Sequence, residues 1–181
     1  MSRLAPTPGQ TIGPFFGYAL PFPGGPELVP PDTPGAVRLS GFVLDGHGDP
    51  VPDALLELWQ VDGNGRRLAV DGSLRRDGAF TGWGRAETDR DGRYAFTTIA
   101  PGAPAPGRAP YVALAVFARG LLHRLLTRAY LPDDPVALAA DPLFTALPPD
   151  RRATLVATAE PGGYRFDVRL QGEGETVFLA H

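Results

Sequence analysis

Few side chains in this protein could do chemistry unaided. The three histidines, His47, His123 and His181, are scattered and form neither H-x-H nor H-E-x-x-H, so their spacing gives no metal site. Cysteine is absent, which excludes disulfides, thiolate metal sites and cysteine nucleophiles. Lysine is absent too, and all 17 basic side chains are arginine. Schiff-base chemistry and a Walker-type phosphate lysine are therefore excluded. Ser2, Ser40 and Ser73 lie outside any G-x-S-x-G elbow. Asp45, Asp49 and Asp53 recur every fourth residue among prolines and glycines, which is turn chemistry rather than a catalytic carboxylate pair. Asp89-Arg90-Asp91-Gly92 opens like a calcium loop but lacks the closing glutamate, and reads as a hairpin turn. Arg119 ends an apolar run. Its guanidinium fork suits a carboxylate, although an arginine at a strand end is ordinarily solvated or paired locally.

The elements that would position these groups are mostly strands. Val37–Leu44 alternates, Asp45–Pro52 is a turn, and Ala54–Gln60 is a second strand ended by Asp62-Gly63-Asn64-Gly65. Gly84–Thr88 and Arg93–Thr98 read as a strand pair around residues 89–92, followed by a Pro/Gly loop, Ala100–Pro110, and the apolar strand Tyr111–Ala118. Leu121–Leu131 fits helical spacing through its leucines, or a strand with Arg124, Leu126, Arg128 and Tyr130 on one face. The all-β context and the β-prone Thr127 and Tyr130 favour the strand. Pro135–Pro149 should hold one or two short helical turns; Arg151–Ala157, Tyr164–Leu170 and Thr176–Leu179 read as closing strands. The expected fold is all-β: an antiparallel β-sandwich over 37–181 with an extended N-terminal arm over 1–36 and one or two short helices.

Composition narrows the partners. At 181 residues and 43% hydrophobic content the chain can bury a core, and no apolar run approaches membrane-span length. The segment MSRLAPTPGQ has no signal-type hydrophobic core, so the expected compartment is the cytoplasm, with no membrane partner. A net charge of −3 without a basic, aromatic-interleaved patch argues against nucleic acid. Trp59 and Trp83 read as core or interface aromatics, and His47 and His181 as solvent-facing. His123 and Arg128 fit an interface and a solvated strand face equally well.

Five segments, TPGQTIGPFF, GFVLDGHGDPVPDALLELWQVDGNGR, FTGWGRAETDRDGRYAF, VFARGLLHRLLTRAYLPDD and YRFDVRLQGEGETVFL, together resemble the intradiol ring-cleaving dioxygenases. The first and last resemble more narrowly the alpha chains of the protocatechuate-cleaving branch. The resemblance implies a ferric ion held by two tyrosinates and two histidines, a hard-acid site. One tyrosine would come from the loop after the ELWQ-like strand and the other from the loop before Tyr111. The histidines would form H-x-H at the start of that strand. Here Arg66–Phe80 and Ala100–Pro110 contain no tyrosine, and Tyr111 and Ala113 stand at the H-x-H positions.

The resemblance thus implies that Fe(III) sits on a partner beta subunit and not on this chain. The pair would form a hetero-oligomer that acts on a small aromatic acid and O2, opening protocatechuate to 3-carboxy-cis,cis-muconate. Thr11, Gly13 and Pro14, in Gln10–Phe16, match the motif that lines the substrate pocket; a Gly-Pro pair gives rigid backbone with little bulk. Arg119 matches an arginine that contacts the substrate near the subunit boundary. Two other readings compete. A self-sufficient dioxygenase with unusual ligands is opposed by the missing histidines. A transthyretin-like β-sandwich acting as a binding or scaffold module would have no catalytic partner at all.

Overall fold

The computed structural model describes residues 11, 13, 16–68 and 79–180; among them nine strands form two facing sheets. One contains β1 (Ala36–Leu44), β4 (Arg93–Ile99), β7 (Thr158–Glu160), β8 (Gly163–Arg165) and β9 (Val168–Arg169). Its order is β4-β1-β8-β7, with β9 also on β1. The other contains β2 (Leu55–Trp59), β3 (Trp83–Glu87), β5 (Tyr111–Phe117) and β6 (Leu125–Tyr130), ordered β3-β2-β5-β6. The second sheet is antiparallel throughout, whereas β1 takes β8 and β9 in parallel. Alternation of side chains along each strand gives the core. Leu39, Val43, Tyr94 and Phe96 from the first sheet, with Phe166 from the link between β8 and β9, meet Leu56, Leu58, Val112, Leu114 and Val116 from the second.

The turns repeat one device. In Asp45–Asp49, Asp62–Arg66 and Asp89–Arg93, the first aspartate's Oδ1 accepts the N–H groups two and four residues on. The glycine at the fourth position, Gly48, Gly65 or Gly92, has φ of 88°, 79° or 72°, a conformation open to glycine at little cost. This spends the Asp89 carboxylate on backbone and leaves the calcium-like pattern as a turn. It does not make a hairpin, however: β3 and β4 lie in different sheets, so residues 89–92 carry the chain from one layer to the other. A local turn fixes five residues, and strand pairing is decided by the faces that must be buried.

The other differences also have local causes. Leu121–Leu131 resolves into a turn followed by β6. Four short helical segments occur among the described residues rather than one or two: α1 (Phe16–Ala19), α2 (Pro135–Ala140), α3 (Pro142–Ala146) and α4 (Pro149–Ala153). The last three begin with proline at the first turn, where its fixed φ and missing N–H favour a helix start. Hence Arg151–Ala157 is not a strand. It begins inside α4, and Leu155–Ala157 then runs along β6, accepting from Tyr130 N–H at 2.8 Å and donating to Tyr130 O at 2.9 Å. Thr176–Leu179 is extended but unassigned to a strand; Leu179 N–H donates to Leu126 O at 2.7 Å.

A second core lies under α2 and α3, built on Tyr130, Leu138, Leu155 and Val177. Asp141 anchors it with no exposed surface. Its Oδ1 accepts from Leu143 N–H, Phe144 N–H and the Tyr130 hydroxyl, and its Oδ2 from Ala109 N–H. Such a network is costly to leave half-satisfied.

In the N-terminal region, residues 25–28 touch both sheets. Arg85 N–H donates to Gly25 O, Thr97 N–H to Pro26 O, and Leu28 N–H to Thr97 O. Leu28 is 1% exposed, and Phe22 stacks on Trp83 at 5.8 Å. Arg85 holds the segment just before it, donating from Nη1 to Leu20 O at 2.8 Å while Nε and Nη2 grip Glu57 Oε1 at 3.2 and 2.6 Å.

Burial pushes the Tyr130 phenol up to about 12 from the ordinary 10. The folded chain therefore keeps a proton that the unfolded chain releases above about pH 10, so stability is full below that pH and falls as pH rises towards 12. Melting temperature followed across this range should lose part of its alkaline decline in Tyr130→Phe; an identical decline would mean the phenol does not carry it. Arg85→Ala should cost about 1–3 kcal/mol and expose Phe16–Phe22 to chymotrypsin. Cleavage there no faster than in the parent chain would remove Arg85 as the anchor of this segment.

Candidate functional site

Side chains that do not face the core cover the outer face of the second sheet. The register pairs Trp59 with Trp83 and Ala113, and Tyr111 with Tyr130, so these residues share that face. At the Tyr111 end of β5 lies a cavity of about 320 Å³ lined by Trp59, Gln60, Arg67, Thr81, Tyr111 and Ala113. Trp59 is 51% exposed and its ring leans on Trp83 at 5.9 Å, whereas Trp83 is buried. Arg128 covers Tyr111, its guanidinium carbon 4.1 Å from the ring centroid, a cation–π contact.

This is the place where the H-x-H positions fall, and its groups do not fit a ferric ion. Such an ion needs anionic oxygen and imidazole donors. The cavity offers one phenol, Tyr111, two nearby guanidinium groups, and an amide already committed elsewhere. Gln60 Nε2 donates to Ile99 O at 2.9 Å and Val61 O at 3.2 Å, and its Oε1 accepts from the Thr98 hydroxyl at 2.8 Å. Among the described residues no cluster of three or more His, Cys, Asp or Glu could hold a metal, and no helix is long and apolar enough to cross a membrane.

Arg119 lies past the other end of the same strand. At about 3.4 Å per residue, β5 alone sets roughly 20 Å between Tyr111 and Phe117, so the two positions do not form one site in this chain. Arg119 bonds to Asp53 Oδ2 through Nε at 2.6 Å and through Nη2. Its side chain is nonetheless 64% exposed.

Thr11 is exposed, and Gly13 is partly buried with φ of 73°. Among the described residues a methyl group at Gly13 would meet nothing within 4 Å, so the glycine serves its backbone angle rather than a tight fit. Pro14 lies outside the described residues, as do residues 1–10, 69–78 and His181. His47 and His123 are exposed.

Sequence reasoning missed Asp53, which it took for a turn residue. The register carried the signal: β2 and β5 pair Leu55 with Phe117, and two residues further on Asp53 faces Arg119. It also missed Arg85, whose partners are distant in sequence, and Asp141, which joins the distant Tyr130 and Ala109 to the neighbouring N–H groups of Leu143 and Phe144.

The family model described as Dioxygenase matches residues 13–172. The chain is 44% identical, over 196 aligned positions, to the protocatechuate 3,4-dioxygenase alpha chain of Burkholderia cepacia, with 99% of each chain covered. It is 38% identical to the beta chain of the same enzyme from that species, over 77% of this chain and 66% of the other. Among solved structures, the dioxygenase domain of a dioxygenase carbohydrate-binding protein fusion from Streptomyces sp. SirexAA-E superposes with a TM-score of 0.63. The two are 31% identical, with 93% of this chain and 99% of that one covered.

Proposed function

The chain belongs to the intradiol dioxygenase family, and from that membership we propose that it is the alpha, non-ferric subunit of a protocatechuate 3,4-dioxygenase. The family uses iron; on this reading the iron sits on a beta subunit, and the reaction inserts both atoms of O2 between the two hydroxyl-bearing carbons of protocatechuate. The observation that carries the reading is the division of β5. The end where the family places its histidines holds Tyr111 and Ala113 under the Arg128 guanidinium. The candidate for contact with the substrate carboxylate, Arg119, lies beyond the other end and faces outward. An arginine so far from its own chain's cavity can serve a pocket that belongs to a neighbour.

The chain's own contribution is then shape, exclusion of water and charge. Thr11, Gly13 and Pro14 would present backbone to the partner's pocket, for which the positive φ at Gly13 sets the course of the arm. Arg119 would take the carboxylate of the aromatic acid, since a guanidinium binds a carboxylate with two parallel hydrogen bonds. This chain is alike in sequence to an alpha and to a beta chain, so the two subunits would share one fold and meet as pseudo-equivalent halves of a hetero-oligomer.

The first test is iron per chain, in this chain alone and copurified with a beta subunit. Little iron alone, with iron and protocatechuate-dependent O2 uptake in the copurified complex, is the expected result; stoichiometric iron in the isolated chain would overturn the reading. The second is Arg119→Ala in the complex. It should raise KM for protocatechuate by about ten-fold or more and leave catechol, which has no carboxylate, little changed. Equal effects on both substrates would remove Arg119 from the carboxylate site.

A further inference from the structure

We propose that Asp53 is a positioning residue, one that turns the Arg119 guanidinium so that its two-pronged end faces the substrate carboxylate. The inference rests on the reading of Arg119 given above. Both Arg119 bonds to Asp53 arise from the side edge of the guanidinium, Nε and Nη2, and converge on Oδ2. A guanidinium is a planar fork with five N–H donors. Holding the Nε/Nη2 edge directs the Nη1/Nη2 edge away from Asp53, and that second edge is the one that can meet a carboxylate with parallel bonds. An exposed arginine otherwise samples many rotamers, and few of them present that edge in a given direction.

Asp53 is built to hold still. Thr88, 5% exposed, ties the backbone on both sides of it: its hydroxyl donates to Val51 O at 2.7 Å and accepts from Ala54 N–H at 2.9 Å. Thr88 N–H also donates to Ala54 O at 2.9 Å. Pro52 precedes Asp53 and restricts the chain further. Ala54 and Ala118, each 1% exposed, bring the two backbones together one step inside the ion pair. Asp53 is itself only 27% exposed, against 64% for Arg119. The rigid partner is thus the carboxylate, and the movable one the guanidinium.

The test compares Asp53→Asn with Asp53→Ala and Arg119→Ala in the complex with the beta subunit, using protocatechuate and catechol. Asparagine keeps an acceptor oxygen for the side edge but loses the charge; alanine loses both. Positioning requires Asp53→Ala to raise KM for protocatechuate by about two- to five-fold, the range of an exposed pair. Its kcat and the catechol kinetics should stay close to the parent's, and Asp53→Asn should retain most of the parent KM. A fall in KM with both substitutions would mean that Asp53 acts only by repelling the substrate's charge. Parallel losses on both substrates would mean a structural role. Either result overturns the proposal, as does an unchanged KM in Asp53→Ala while Arg119→Ala is impaired, and that last outcome leaves the reading of Arg119 standing. If Arg119→Ala still discriminates between the substrates as well as the parent does, the reading of Arg119 and the inference built on it fall together.

Discussion

The register between β2 and β5 is the constraint on which the rest depends. It sets Leu56 and Leu58 beside Val112, Leu114 and Val116 towards the other sheet, and Trp59, Tyr111 and Ala113 outward. A slip of one residue would exchange the two sets. Each large apolar side chain returned to water would cost about 1.5–3 kcal/mol, against about 0.2–1 kcal/mol for an exposed ion pair such as Asp53–Arg119. The core therefore fixes the register, and both ends of the outer face follow from it. What stands at the cavity, and what stands opposite Arg119, are consequences of packing on the hidden side of the same strands.

That hierarchy explains what could be read from sequence. Strand β1 was legible because its residues alternate, β2 and β5 because turn residues bound their apolar runs, and the absence of the expected ligand set because it is a matter of residue identity at fixed places. Sheet membership was not. Asp89–Gly92 carries the bonding pattern of a tight turn, and nothing within those residues tells whether Arg93–Ile99 returns beside β3 or crosses to β1. Arg151–Ala157 has strand-like composition, yet Pro149 at a helix start takes its first half. The Asp53–Arg119 pair needed the register, which becomes visible only when two strands are read together. Asp141 before Pro142 carries the local mark of a helix start, but its bonds to Ala109 and Tyr130 were hidden for the same reason.

The cavity at Tyr111 is unsuited to a hard cation in electrostatic terms. A phenol remains, but Arg67 lines the same hollow and the Arg128 guanidinium lies over the phenol's ring. Trp59 adds bulk without a donor suited to a hard cation. Histidines placed at Tyr111 and Ala113 would therefore stand beside positive charge.

The segment at 25–28 has a consequence for how this chain can meet others. Its bonds to Arg85 and Thr97 interrupt the outer rims of β3 and β4, which are the terminal strands of the two sheets on that side. On the opposite side Leu155–Ala157 and Leu179 bond along the rim of β6, and Thr176 bonds to Arg169 of β9, so among the described residues these segments leave the three-residue β7 uncovered. A neighbour would find little room to add a strand, the usual shortcut by which sheet proteins join or aggregate. Association is thereby steered to faces and loop ends, where side chains rather than main chain choose the companion. A pair of related sandwiches can then tell like from unlike.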